Sequence, residues 1–334
     1  MDISVNSLDN VVDRVMAMRR QEEGPYLYES YLLENEDAQV NVSWREKITH
    51  WSYNVVDHFG LSREVVAISL NLFDRFLATR GNTCNGNMAL LTSLSTLHLA
   101  IKLHDTKKIR ISTLASLSRG QFGPKHIEEM EWVILNALQW KLHPPTAYSF
   151  IFYFLLFLPK EASSLVQREI FELSRYFTEL AMCDSVLVKT KASTIAFASV
   201  LNVIQDIGYK SLSAGLKEKF LRDTMDKVNL DFQASDVVET RGRIAKICAS
   251  NQQDGSFKTT IADEALSMAS YGSNGSLTRS VDSDCFRRVR SNSLESLGSK
   301  GSYNRYSASP RGRRVMAASP IGGRARISTS HMLA

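Results

Sequence analysis

The chain has 334 residues, of which 44% are hydrophobic and 22% charged, with a formal net charge of +5. That length and apolar content support two packed units of ordinary size and exclude a wholly disordered chain. The most apolar run, residues 150–159, is far shorter than the roughly 20 residues that span a bilayer. The acidic N-terminus shows no signal-peptide pattern, so neither a membrane span nor export is expected. Charge is unevenly spread: −6 over residues 1–43, +4 over 44–143, zero over 144–254 and +7 over 255–334. Cys84, Cys183, Cys248 and Cys285 stand far apart with no CxxC pair. Their spacing argues against a disulfide framework or a zinc site and for reduced thiols inside the cell.

In chain order, residues 1–43 form an acidic segment with one expected helix. Ser43 followed by Glu46 has the spacing of a capping box and opens a helix over 44–58, stopped by Gly60. Ser62 can cap a second helix over 63–79, whose apolar residues cover so broad a surface that burial on several sides is implied. A third, over 87–104, is apolar or small for four turns before Lys102 and is the natural centre of the unit. A short fourth lies near 112–117. Pro124 suits the first position of a fifth, in which Ile127, Met130, Ile134 and Leu138 define the apolar face and Glu128 and Glu131 fall elsewhere. Pro144-Pro145 then breaks the chain.

The same pattern of helix lengths returns over 146–157, 160–182, 189–207, 213–228 and 235–249, although few residues are shared between the halves. From about Asp254 the chain is rich in Ser, Gly and Arg and loses apolar periodicity, so it cannot bury enough surface to offset chain entropy. The expected organisation is all-α: an acidic segment at 1–43, five-helix units at 44–143 and 144–251, and a disordered basic tail at 252–334. No GxGxxG, phosphate loop or nucleophile elbow occurs, and His50 with His58 lacks the spacing of a helical metal pair, so neither catalysis nor a cofactor is expected.

Several stretches of the first unit together resemble the cyclin box. WREKITHW is similar to the family's opening helix, with Arg45 and Trp51 in place. NLFDRFLA matches its DRFL segment through Asp74, Arg75, Phe76 and Leu77. LHLAIKLHD resembles the stretch that carries the family's lysine, here Lys102. MEWVILNALQWKLHPPTAYSFI matches the segment that carries its glutamate, here Glu131, and ELAMCDSVLVKTKASTIAFASVL resembles helices of a second box. The likeness covers residues 40–250 and implies two five-helix cyclin-box repeats, in a G1 or D-type-like or lineage-specific member.

The resemblance implies a non-catalytic subunit that binds and activates a cyclin-dependent protein kinase in cell-cycle control. Lys102 would donate to main-chain carbonyls of the kinase and Glu131 would accept from its backbone N–H groups. Asp74 and Arg75 are read as a structural ion pair, and Trp44, Trp51, Trp132 and Trp140 as core or groove-lining aromatics. The family's substrate-docking groove is degenerate here. Trp44, Ile48, Trp51 and Leu90 occupy its places, and the opening helix lacks the usual MRAIL residues. No Arg-x-x-Leu destruction box, Lys-Glu-Asn motif or Leu-x-Cys-x-Glu segment occurs.

In the tail, Ser309 and Ser319 precede prolines, and Ser291 and Ser293 follow arginines at the third position before them. All four are candidate phosphorylation sites for tail-binding kinases or adaptors. The tail's arginine clusters suit nuclear import, so nucleus and cytoplasm are the expected locations. Two alternatives are a double-box transcription factor and a scaffold without kinase binding. The first needs a basic stripe on the folded units, and their +4 and zero disfavour nucleic acid as a partner.

Overall fold

The structure is a computed structural model that describes residues 5–28, 41–80, 85–208 and 212–253. The expected tail beyond residue 253, with Ser291, Ser293, Ser309 and Ser319, lies outside the described residues. Within them the chain is all helix, with no strand, and no helix is long and apolar enough to cross a membrane. Helix α1 is Val5–Glu23. The first five-helix unit comprises α2 (Val42–Phe59), α3 (Glu64–Arg80), α4 (Gly86–His104), α5 (Ile111–Ser116) and α6 (Pro124–Ala137). The second comprises α7 (Ala147–Leu155), α8 (Ser164–Cys183), α9 (Ala192–Asp206), α10 (Ala214–Val228) and α11 (Ser235–Gln253), with a 3₁₀ turn at Ser185–Lys189.

Each unit is built around one helix that is buried nearly all round. Every residue from Thr92 to Ile101 of α4 is buried, and α9 is buried from Ser193 to Leu201. Helix α4 packs against α3, α6 and α5, and α9 against α7, α8 and α11. Burial of so many hydroxyls is tolerable because they bond back to the preceding turn. Ser93 Oγ donates to the Leu90 carbonyl and Ser95 Oγ to the Leu91 carbonyl, each at 2.8 Å. Two apolar cores result: one in the first unit around Phe73, Phe76 and Leu97, the other in the second around Phe150, Phe154 and Phe197.

Several ends differ from expectation because another group caps better. Asn41, not Ser43, caps α2, its side chain accepting from Trp44 N. That replaces the Ser43–Glu46 box and starts the helix two residues early. At the other end Gly60 adopts φ 60°, the left-handed conformation that a glycine enters without steric cost. Asn85 caps α4 at 2.8 Å from Met88 N. Helix α8 begins at Ser164 rather than Lys160 because Ser163 Oγ accepts from Val166 N.

Helix α1 belongs with the second core. Val11, Val15 and Met18 are buried there, and α1 packs on α7 and α10. Its polar residues serve helix termini. Arg19 Nη1 donates to the Val228 carbonyl at 2.6 Å at the end of α10. The Glu22 carboxylate accepts from Ser193 N at 3.0 Å and from Ser193 Oγ, at the start of α9, where negative charge is favoured.

The two units are joined by a buried ion pair. Arg45 of α2 meets Asp74 of α3 through Nε (3.0 Å to Oδ1) and Nη2 (2.9 Å to Oδ2). Both side chains are 2% exposed. Arg45 Nη1 donates to the Met182 carbonyl at the end of α8, 3.0 Å away. The expected pairing of Asp74 with Arg75 does not form. Neighbours on a helix diverge by about 100°, and Arg75 points instead to the Lys141 carbonyl at 2.8 Å.

Removing one partner of a buried pair leaves the other charge unsatisfied. Arg45→Ala or Asp74→Ala is expected to lower the unfolding free energy by about 3–5 kcal/mol in urea titration, and Arg45→Met with Asp74→Leu by clearly less than the two single losses together. A second expectation concerns Glu22. Burial pushes its carboxyl above the ordinary 4.5, against the opposing pull of the Ser193 donors. The folded chain then holds a proton that the unfolded chain has released, so this group's contribution to stability falls as pH rises through the window above 4.5. Glu22→Gln removes that loss, and the change in unfolding free energy between acid and neutral pH shrinks accordingly.

Candidate functional site

The C-terminal half of α4 and the middle of α6 face each other and bring three polar side chains into contact. Ile127, Glu131 and Ile134 lie at i, i+4 and i+7 of α6, so Glu131 sits on the inward face. The expectation that it falls off the apolar face is therefore corrected: its neighbours at 127 and 134, not Met130, set the buried stripe. Its carboxylate is 8% exposed and both oxygens are engaged. Oε1 lies 2.6 Å from His98 Nδ1 and Oε2 accepts from Lys102 Nζ at 2.6 Å. His98 and Lys102 are one turn apart on α4, His98 buried and Lys102 41% exposed.

The ammonium at Lys102 is thus tethered at its base and open outward. One of its three donors is held by Glu131, and the charge sits in the last turn of α4, where the helix dipole favours a cation. The same terminus is closed by Lys108, whose Nζ donates to the carbonyls of Lys102 (2.9 Å), Ile101 (3.2 Å) and Asp105. Asp105 accepts from Ser62 N at 2.7 Å and Lys107 N at 2.8 Å, and fixes the loop that follows. Burial pushes the His104 imidazole below its ordinary value, and this ring contacts the Leu142 carbonyl at 3.0 Å.

Beside Lys102 on α4, Leu103 is 44% exposed; on α6 and the turn after it Trp132 is 60%, Val133 38% and Trp140 59% exposed, with Trp132 and Val133 lying by Thr79 and Arg80 at the end of α3. Trp132 and Trp140 meet edge to face with centroids 6.1 Å apart. Neither is a core residue, and Trp132 lines a shallow groove with Thr79, Arg80 and Asn136. Trp140 is held outward by the turn that ends α6, where Gln139 (φ 51°) and Trp140 (φ 60°) are both left-handed. For two side-chain-bearing residues this costs about 1–2 kcal/mol each. The turn persists because Trp140 N donates to the Leu135 carbonyl at 3.0 Å and Arg75 clamps the Lys141 carbonyl. Arg75 in turn lies 4.8 Å over the Tyr26 ring.

The four residues at the substrate-groove positions are split. Ile48 and Trp51 are buried in the first core, 1% and 3% exposed. Trp44 and Leu90 are half-buried, and the Trp44 indole lies so close to Gly86 that a Cβ there would stand 3.0 Å from the ring. The two residues that the sequence expectation missed are His98 and Arg45. A histidine in a helix buried all round must find a polar partner, and its i, i+4 spacing from Lys102 points to the shared carboxylate. Arg45 was visible only as a recurrent position, not as the partner of Asp74.

The model described as cyclin, N-terminal domain, matches residues 13–143, and that described as cyclin, C-terminal domain, matches residues 145–270. Cyclin-D3-3 of Arabidopsis thaliana is 29% identical over 197 residues, 55% of this chain and 50% of its own. G2/mitotic-specific cyclin S13-6 of Glycine max is 27% identical over 185 residues, 52% of this chain and 39% of its own. G1/S-specific cyclin-D1 of Danio rerio is 26% identical over 216 residues, 65% of this chain and 73% of its own. The chain spans half or less of the two plant relatives' lengths.

The strained turn gives its own test. Gln139→Gly relieves the left-handed conformation at that residue and is expected to raise the unfolding free energy by about 1 kcal/mol, seen as a higher denaturant midpoint at unchanged slope.

Proposed function

The chain belongs to the cyclin family, and on that premise we propose that it is the regulatory subunit of a cyclin-dependent protein kinase, which it binds and activates through the face around Lys102. The observation that carries this reading is the Lys102 ammonium, held at 2.6 Å by the buried Glu131 carboxylate and flanked on α4 by the exposed Leu103. An apolar side chain beside a directed charge supplies buried area while the polar group sets register. Lys102 offers its outward donors to main-chain carbonyls of the kinase. Glu131 contributes to the same contact from beneath, by fixing where that donor stands.

Docking on this face moves the kinase's mobile helix inward and completes the Lys–Glu pair that positions ATP phosphates. The subunit thereby selects one of two kinase states, and its differential contact with the two is the source of activation. In this reading the reaction is carried out by the kinase alone. The mixture of D-type and mitotic relatives leaves a G1-like or lineage-specific role as the reading that the missing destruction-box and Lys-Glu-Asn motifs favour. Distribution between nucleus and cytoplasm, and phosphorylation at the tail serines, belong to the same proposal; the first rests on the arginine clusters of the tail, the second on the prolines after Ser309 and Ser319 and the arginines before Ser291 and Ser293.

Capture of a cyclin-dependent kinase by the recombinant chain tests the proposal. Lys102→Ala is expected to weaken binding by about 2 kcal/mol, roughly 30-fold, with the kinase activity of the mixture falling in step. An intact, folded chain that captures no cyclin-dependent kinase overturns the reading.

A further inference from the structure

The Lys102–Glu131 pair is completed by a residue that the kinase-docking reading does not use. His98 Nδ1 is 2.6 Å from Glu131 Oε1, while Oε2 takes the Lys102 ammonium at the same distance. The His98 and Glu131 side chains are 7% and 8% exposed. An ionised carboxylate only accepts, so the imidazole donates from Nδ1 and the contact is directional. A glutamate on a helix has three rotatable bonds, and a single lysine on its second oxygen would leave it free to swing with the lysine's mobile stem. The rigid ring of His98, set in a helix segment that is buried on all sides, removes that freedom.

We propose that His98 is a positioning residue of the docking site: it locks the Glu131 carboxylate so that the Lys102 ammonium is presented in one place, with its remaining donors aimed at carbonyl acceptors of the docked partner. The inference rests on the kinase-docking reading for its consequence, but not for its geometry. It also sets the polarity of the contact. The group presented outward is the Lys102 donor, and the matching element of the partner is a set of carbonyl oxygens.

Two measurements on the full chain test this. In the first, kinase affinity is measured for His98→Leu, His98→Asn, Lys102→Ala and the double variant His98→Leu with Lys102→Ala. If His98 acts through Lys102, His98→Leu weakens binding about tenfold in the parent and less than about twofold in the Lys102→Ala background. His98→Asn, whose amide reaches the place of Nδ1, regains most of the loss. In the second, which needs no kinase, the rate of Lys102 acetylation by an N-hydroxysuccinimide ester is followed by mass spectrometry. It rises in His98→Leu as the carboxylate ceases to shield the amine, and returns toward the parent rate in His98→Asn. Unchanged affinity with unchanged acetylation overturns the proposal, and so does an equal affinity loss in both backgrounds. A parent chain that captures no kinase overturns the docking reading instead, and the acetylation rates then decide the role of His98 on their own.

Discussion

A guanidinium buried to 2% exposure permits few arrangements of the chain around it, and Arg45 is such a group. Withdrawing it from water costs several kcal/mol unless its donors are met. Here they are met from two other helices: α3 through Asp74, and α8 through the Met182 carbonyl. Hydrophobic burial alone would hold the two cores together in many orientations, because it is non-directional. The fork of Arg45 is directional. It therefore specifies which face of the second unit meets the first, a role that neither apolar core can fill by itself.

The proposed docking face uses the same physics with one difference. Glu131, like Asp74, is an acid on an inward helix face, and its burial demands two donors. Asp74 receives its donors mainly from a guanidinium that is itself sealed. Glu131 receives one from a buried imidazole and one from a lysine whose head still reaches solvent. The first arrangement is closed and structural. The second leaves a charge at the surface whose position is set from below, which is what a recognition contact needs and a core contact does not.

Much of the helical framework can be read from apolar periodicity, because α3, α4 and α9 bury so many residues that no other element fits their length. Helix ends were less legible. Asn41 and Ser43 are both good caps, and only the backbone geometry at Asn41 decides between them. The site was half visible. Lys102 and Glu131 stand out through the family likeness, but Met130 competes with Glu131 for the apolar stripe and hides which face the glutamate takes. His98 was hidden among leucines in α4. Pairings such as Arg45 with Asp74 and Arg75 with the Lys141 carbonyl join residues 29 and 66 positions apart, and no local pattern encodes a contact between helices.

The divergence of Asp74 and Arg75 has a consequence that reaches across the first unit. One side chain faces the seam with the second unit and the next faces the turn after α6, so a single helix sets both the inter-unit contact and the strained loop that holds Trp140 outward. The segment after α1 touches both. Tyr28 Oη lies 3.2 Å from both Asp74 Oδ2 and the Val188 carbonyl and shares its one proton between them, and burial drives its phenol well above the ordinary range, so it stays a donor. Two residues earlier the Tyr26 ring backs Arg75, and its hydroxyl accepts from His143 N at 3.2 Å. Since α1 itself is anchored on the second core, this short strap ties that core to Asp74 and Arg75 of α3. The exposed Trp140 is therefore placed in part from behind: Arg75, backed by the Tyr26 ring, holds the Lys141 carbonyl, while the bond from Trp140 N to the Leu135 carbonyl closes the left-handed turn itself.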